Sequence, residues 1–183
     1  MGIKIYIVLS QNYTILSRLI SYVTNGKYSH VSISFNKECT DMRSIGRTFK
    51  RWPLSGKYRK ESINEGVFKK KKSKILIYEL EISKRKYNNI ISLLNEYGNS
   101  CKGYNTIGLI FAAFNKKVNR NKYYCSEFVY KVLSNDKVNI FPKKKGVVKP
   151  MDFMNIKRLK NIYEGYTVDY NSNYNIIGEK ISI

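Results

Sequence analysis

The chain has 183 residues, and 43% of them are apolar, which excludes a globally disordered protein and fits one globular domain. No apolar run reaches the roughly 20 residues that a membrane-spanning helix needs, and the first residues lack a signal-peptide cleavage pattern. We therefore expect a single domain over residues 1–183, located in the cytoplasm.

The chain is strongly basic, with 34 basic and 13 acidic residues and a formal charge of +21. Such a charge attracts nucleic acid or an anionic membrane surface, so a non-catalytic binding module is one interpretation. The other interpretation is compositional. Lys far outnumbers Arg and occurs with abundant Ile, Asn and Tyr, as AT-biased coding produces, whereas specific nucleic-acid binders favour Arg.

The first half of the chain predicts a small sheet. Strand patterns cover residues 3–9, 28–35 and 39–45, and a helical pattern covers residues 12–23. Residues 48–73 are polar and poorly periodic, so they predict a loop insertion. Long ordered loops in compact domains often serve a function, and we expect this one to form part of a substrate groove.

The second half adds one more strand and several helices. Residues 74–82 predict a strand, followed by a helix capped by Ser83 that ends near residue 97. Residues 106–114 predict a buried helix, and residues 123–133 predict an amphipathic helix that carries a cysteine at its start. Asp152 is a possible cap for a short segment at 148–153, and residues 159–166 predict a last strand.

Cys125 is the first candidate for chemistry, because it begins the helix at residues 123–133. Unpaired backbone N–H groups and the positive end of the helix dipole favour a thiolate there, and such an N–H can stabilise an oxyanion. The common alternative is a buried, inert cysteine. A nucleophilic thiol usually needs a neighbouring base.

His30 is the only histidine of the chain, so it is the only imidazole that can serve as that base. It lies in an alternating stretch whose period of two places His30, Ser32 and Ser34 on one side. The alternative is a core or edge histidine without catalytic role. A third group should orient the ring, and Ser44, Thr40 and Asp41 on the next predicted strand remain open for this position.

The three cysteines are widely spaced and odd in number, and one histidine gives poor metal-ligand spacing. A disulfide framework and a zinc site are therefore not expected, and we predict no metal and no cofactor.

Two motifs, Tyr-Ser-His-Val-Ser-Ile at residues 28–33 and Tyr-Tyr-Cys-Ser-Glu-Phe-Val at residues 123–129, resemble the circularly permuted NlpC-type papain-like cysteine hydrolases, which include relatives of lecithin–retinol acyltransferase. In that group the histidine strand precedes the cysteine helix. The stretches at residues 44–47, 104–105 and 148–150 also resemble bacterial members, and the resemblance covers about residues 3–170.

The resemblance implies an α+β fold in which an antiparallel sheet packs against helices. It also implies a cysteine-dependent hydrolase or acyltransferase that acts on an amide or ester bond of a peptide, amide or lipid substrate. Cys125 is then the nucleophile, His30 the general base, and a polar residue on the following strand the orienting group. We place Ser44 at that last position, where family members often carry a stronger group.

Overall fold

The computed structural model describes residues 2–13, 17–18, 21–22, 25–47, 56–70, 73–100, 124–135 and 148–170. Within these residues the strands are β1 (Ile3–Gln11), β2 (His30–Ser34), β3 (Met42–Arg47), β4 (Gly56–Glu61), β5 (Lys74–Ile82) and β6 (Lys160–Tyr166). The helices are α1 (Gly66–Lys70), α2 (Lys84–Ser100) and α3 (Cys125–Asn135), and a 3-10 helix covers Pro150–Asn155.

The six described strands form one antiparallel sheet in the order β4-β3-β2-β1-β5-β6. β1 lies at its centre, and there Ser10 pairs with His30 on one side and with Ile75 on the other. The described part of the chain is therefore an α+β fold with an antiparallel sheet, as the sequence predicts.

The central strand β1 is buried on both faces, which explains its nearly continuous apolar sequence. Its odd-numbered residues, such as Ile7, join a large core with α2 and α3. Its even-numbered residues, such as Val8, join a smaller core on the other face, with Phe68 of α1. The period of two thus directs alternate side chains of one strand into two different cores.

The helix α2 follows the sequence prediction closely. The hydroxyl of Ser83 accepts a hydrogen bond from the backbone N–H of Lys86 at 3.3 Å, so Ser83 caps the helix. Ile90 and Leu94, one turn apart, are buried in the large core. The predicted cap is confirmed.

Other predicted elements agree with the structure in different degrees. The strand predicted at 74–82 is β5, and the strand predicted at 159–166 is β6. Of the helix predicted at 12–23, residues 12–13, 17–18 and 21–22 are described. The last four are helical, whereas residues 12 and 13 are not. The helix predicted at 106–114 lies outside the described residues.

The loop insertion predicted at 48–73 is wrong over its described part. Residues Gly56–Glu61 form β4, which pairs with β3 along its whole length, and Gly66–Lys70 form α1. The strand escaped detection because β4 is an edge strand. Edge strands carry charges that prevent further pairing, and here Arg59 and Lys60 are exposed and interrupt the apolar alternation.

Among the helices that the structure describes, none is both long enough and apolar enough to cross a membrane.

Candidate active site

The candidate site is built around His30, the first residue of β2. Its Nε2 atom lies 3.0 Å from Oε2 of Glu61, the last residue of β4. Both side chains are largely withdrawn from solvent, with exposed fractions of 16% for His30 and 14% for Glu61. A carboxylate that contacts one ring nitrogen fixes the tautomer and the orientation of the imidazole.

Ser32 links the two members of this pair. Its hydroxyl donates a hydrogen bond to Oε2 of Glu61 at 2.8 Å, and its oxygen lies 3.2 Å from Nε2 of His30. The period of two along β2 explains why residues 30 and 32 meet in the same place. Three side chains from two strands therefore share one small polar network.

Cys125 is the first residue of α3 and lies far from His30 in the sequence. The helix buries Phe128, Val129, Val132 and Leu133 in the large core and packs against β2 and β3. This packing brings the helix N-terminus to the start of β2, where Cys125 lies close enough to His30 to help raise the pKa of the ring. Cys125 itself is 1% exposed, so a substrate reaches the sulfur only if covering side chains move aside.

Charge interactions decide the protonation of His30. Burial alone lowers the pKa of the ring, but the Glu61 carboxylate, the Cys125 thiol and the hydrogen bonds to both outweigh burial. The pKa of His30 is therefore raised well above its ordinary value. Among the groups that favour the protonated ring, the Glu61 carboxylate contributes most.

The Glu61 carboxyl shifts in the complementary direction. Burial raises its pKa, but the neighbouring His30 charge, the hydrogen bonds from His30 and Ser32 and the charge of Arg59 together outweigh burial. The net effect is a lowered pKa for Glu61. The site thus holds a carboxylate next to a protonated ring, each stabilising the charged form of the other.

The N-terminus of α3 is held by residues on both sides of Cys125. The hydroxyl of Ser126 donates to the backbone carbonyl of Val148 at 2.7 Å, and the hydroxyl of Tyr124 accepts from the Val148 N–H at 3.2 Å. The carboxylate of Asp152 in turn accepts from the Lys149 N–H at 2.6 Å and caps the 3-10 helix, as the sequence predicts. These bonds fix the position of the thiol.

Ser44, the predicted orienting residue, makes a different contact. It is fully buried on β3, and its hydroxyl donates to the backbone carbonyl of Val31 at 2.8 Å. The two alternatives are also engaged elsewhere, since Thr40 accepts from the Asn36 side chain and Asp41 pairs with Arg43. The described hydrogen-bond partners of the ring are Glu61 and Ser32, so Glu61 rather than Ser44 is the candidate orienting group.

Sequence reasoning missed Glu61 because it looked only on the strand that follows the histidine strand. Glu61 lies one strand further out, at the end of a segment that was interpreted as a loop. The sequence signal for this strand is weak. The stretch Gly-Lys-Tyr-Arg-Lys-Glu is mostly charged and contains a single aromatic residue, Tyr58. The Tyr58 ring packs edge-on against Phe128 of α3, with 6.0 Å between the ring centroids.

Comparison with known proteins finds a protein of similar fold but gives no information on activity. No protein-family model matches the chain, and no curated protein matches its sequence. The chain is similar in structure to YiiX, a metalloprotein of Escherichia coli O157:H7, with a TM-score of 0.53 and 16% sequence identity. The alignment covers 90% of this chain and 98% of YiiX. At this identity the similarity shows a shared fold alone.

Because YiiX is described as a metalloprotein, we searched this chain for a comparable donor set. Within the described residues, no group of three or more His, Cys, Asp and Glu side chains is placed to hold a metal ion. His30 and Glu61 contact each other directly at 3.0 Å, as the members of an ion pair do.

Proposed function

We propose that the protein is a cysteine-dependent hydrolase or acyltransferase that acts on an amide or ester bond. We further propose that its fold is the circularly permuted papain-like one, in which the histidine strand precedes the cysteine helix. The observation that carries the proposal is that the Glu61 carboxylate contacts His30 at 3.0 Å while Cys125, at the start of α3, lies close enough to act on the charge of the same ring. A nucleophile, a base and an orienting group in series are the parts that thiol catalysis requires.

In this mechanism Glu61 engages Nε2 of His30 and leaves Nδ1 for the thiol. In the reactive form the proton of Cys125 is already on His30, in line with the raised pKa of the ring, and the sulfur attacks the carbonyl carbon of the substrate. The negative charge moves to the carbonyl oxygen, where the backbone N–H groups at the start of α3 can stabilise it. The protonated His30 then gives its proton to the leaving amine or alcohol, and a thioester remains on Cys125.

The second half of the reaction regenerates the enzyme. Water, or another acceptor, gives a proton to His30 and attacks the thioester carbonyl. The carbon–sulfur bond breaks, the acyl group leaves as an acid or on the acceptor, and the proton stays on His30 beside the freed sulfur. Ser32 does not react in this scheme. It holds the Glu61 carboxylate in place through its 2.8 Å hydrogen bond.

The proposal is tested by labelling the protein with an electrophilic acyl probe that reacts with catalytic thiols. We expect one modified residue, Cys125, and no labelling of a Cys125→Ala variant. Cys39 provides the control, because it is fully buried and burial raises the pKa of its thiol to about 12. A Cys39→Ala variant should label as the wild type does. Equal labelling of the Cys125→Ala variant would refute the proposed site.

A further inference from the structure

We propose that a cluster of exposed basic residues at one end of the sheet binds the anionic headgroup surface of a lipid membrane. We call this cluster the basic end and define it as Lys84, Arg85, Lys157, Arg158 and Lys160. It shares no residue with the candidate active site, and the proposal does not depend on the proposed function.

Two chain segments meet at the basic end. Lys84 and Arg85 open α2, directly after β5 ends at Ile82. On the neighbouring strand Lys160 opens β6 and pairs with Glu79 of β5 in the antiparallel register. Lys157 and Arg158 immediately precede β6, so they lie at the edge of the sheet where β5 passes into α2.

The charges of the basic end are not neutralised by the rest of the described protein. All five side chains belong to exposed residues, and none of them takes part in a described ion pair. Of the two acids of β5, Glu79 is only 15% exposed and is engaged by Lys4 at 3.2 Å, whereas Glu81 is exposed. The cluster therefore keeps a strong net positive charge.

The position of Lys84 and Arg85 is unfavourable for the helix itself. They occupy the first turn of α2, which contains no acidic residue. The N-terminus of a helix carries a partial positive charge that favours acidic side chains and disfavours basic ones. A surface of negative charge outside the protein would offset this repulsion, so the arrangement fits an anionic partner.

A membrane fits this end of the protein better than nucleic acid does. Met154, on the 3-10 helix just before Lys157, is 43% exposed, although its neighbour Phe153 is buried. An apolar side chain beside basic ones is the composition that enters the boundary between headgroups and acyl chains. Protein surfaces that bind single-stranded nucleic acid instead offer aromatic rings on which the bases stack. The first aromatic residue of α2, Tyr87, packs edge-on against Phe35 at 5.7 Å.

The basic end lies away from the thiol. Lys160, Glu79, Tyr6 and Ser34 are aligned across the sheet, whereas His30 pairs with Ser10, four residues further along β1. At the rise of a strand this separation is about 13 Å, and Lys84 and Arg85 lie further away again. Membrane contact at the basic end would therefore leave the candidate active site uncovered.

The test is co-sedimentation of the whole protein with phosphatidylcholine vesicles that do or do not contain phosphatidylserine. We expect salt-sensitive binding to the anionic vesicles only. A triple variant, Lys157→Gln, Arg158→Gln and Lys160→Gln, should bind about 100-fold more weakly, since each basic residue near an anionic surface contributes roughly a factor of five. Met154→Ser should weaken binding as well.

A charge-matched control separates the basic end from the general charge of the protein. The variant Lys60→Gln, Lys69→Gln and Lys131→Gln also loses three positive charges, but from β4, α1 and α3. It should keep its affinity within about threefold, because charges outside the contact act only at long range. Equal loss of vesicle binding in both variants, absence of binding to anionic vesicles, or tighter binding to duplex DNA than to vesicles would each overturn the proposal.

Labelling of Cys125 by the acyl probe should be the same in both triple variants. The membrane test is therefore independent of the enzyme proposal.

Discussion

Oε2 of Glu61 lies 3.0 Å from Nε2 of His30, although β3 separates the two strands that carry them. The pKa of His30 is raised and that of Glu61 is lowered, so the two groups carry opposite charges. In the proposed mechanism, Glu61 is the orienting group, His30 the base and Cys125 the nucleophile. We propose that the contact with Glu61 directs His30 toward Cys125.

The first prediction concerns the orienting carboxylate. Glu61→Gln keeps the size of the side chain but removes its charge, so the imidazolium loses its main stabilisation. We expect the rate of Cys125 acylation by the probe to fall by about 100-fold, the lower end of what a positioned acid–base group contributes. Stopped-flow or quenched labelling measures this rate.

The matched control is Ser44→Ala, which removes a buried hydroxyl bound to the backbone carbonyl of Val31. This variant should change the acylation rate less than about twofold and lower the unfolding free energy by about 1 kcal/mol. A larger loss of rate in the Ser44 variant than in the Glu61 variant would return the orienting role to Ser44.

The second prediction concerns Ser32. Ser32→Ala removes the 2.8 Å bond to Glu61 and leaves the carboxylate less firmly held. Since a hydrogen bond to a charged group contributes about 1.5 to 3 kcal/mol, and part of it is replaced by water, we expect a 3- to 10-fold slower acylation of Cys125. The basic limb of the pH–rate profile should also move, because the pKa of His30 depends on the charge of Glu61. Ser32→Thr, which retains the hydroxyl, should restore most of the rate. A purely structural role for Ser32 predicts an unchanged profile.

The third prediction concerns pH and stability. The pKa of Glu61 is lowered in the fold, so its contribution is present above the ordinary carboxyl value of about 4.5 and is lost as pH falls through the folded value. The pKa of His30 is raised, so its contribution is complete below the ordinary value of about 6.5 and is lost as pH rises through the folded value. The difference in unfolding free energy between wild type and Glu61→Gln should therefore be largest between about pH 4.5 and 6.5. Urea unfolding at a series of pH values measures it, and a difference that does not vary with pH would contradict the ion pair.

The fourth prediction concerns the anchor of the cysteine helix. Ser126→Ala removes the hydroxyl that donates to the buried carbonyl of Val148 and leaves that oxygen without this partner. We expect a loss of about 1 to 3 kcal/mol in unfolding free energy and a slower acylation of Cys125, because the N-terminus of α3 is less well fixed. Ser134→Ala is the control, since its hydroxyl bonds the Tyr130 carbonyl at the other end of the same helix. The control should leave the acylation rate unchanged, and an equal loss of rate in both variants would show that α3 acts only as a whole.

The sequence could predict those parts of the fold and the site that depend on local pattern. The run of apolar residues in β1, the alternation in β5 and the cap at Ser83 each follow from the chain itself. The cysteine at a helix start and the lone histidine on a strand were also identifiable. The structure brings the start of α3 next to β2, but the pairing of the two residues and its catalytic role stay predictions.

The partner of His30 could not be predicted, because it depends on which strands lie side by side. β4 is a short, charged edge strand, and its pairing with β3 is not visible in a window of sequence. Glu61 meets His30 only when the order of β4, β3 and β2 is known. Proximity in sequence instead pointed to Ser44, which lies on the intervening strand and bonds the backbone.

The most direct test compares the rates at which a small thiol-directed electrophile modifies Cys125 in the wild type and in a His30→Ala variant, at neutral pH. Peptide mass spectrometry should follow Cys39 in the same samples as an internal reference. The account predicts that Cys125 reacts much faster than Cys39 in the wild type, and that His30→Ala slows Cys125 by about 100-fold or more without changing Cys39. If Cys125 reacted at the same rate with and without His30, the proposed cysteine–histidine site would be contradicted.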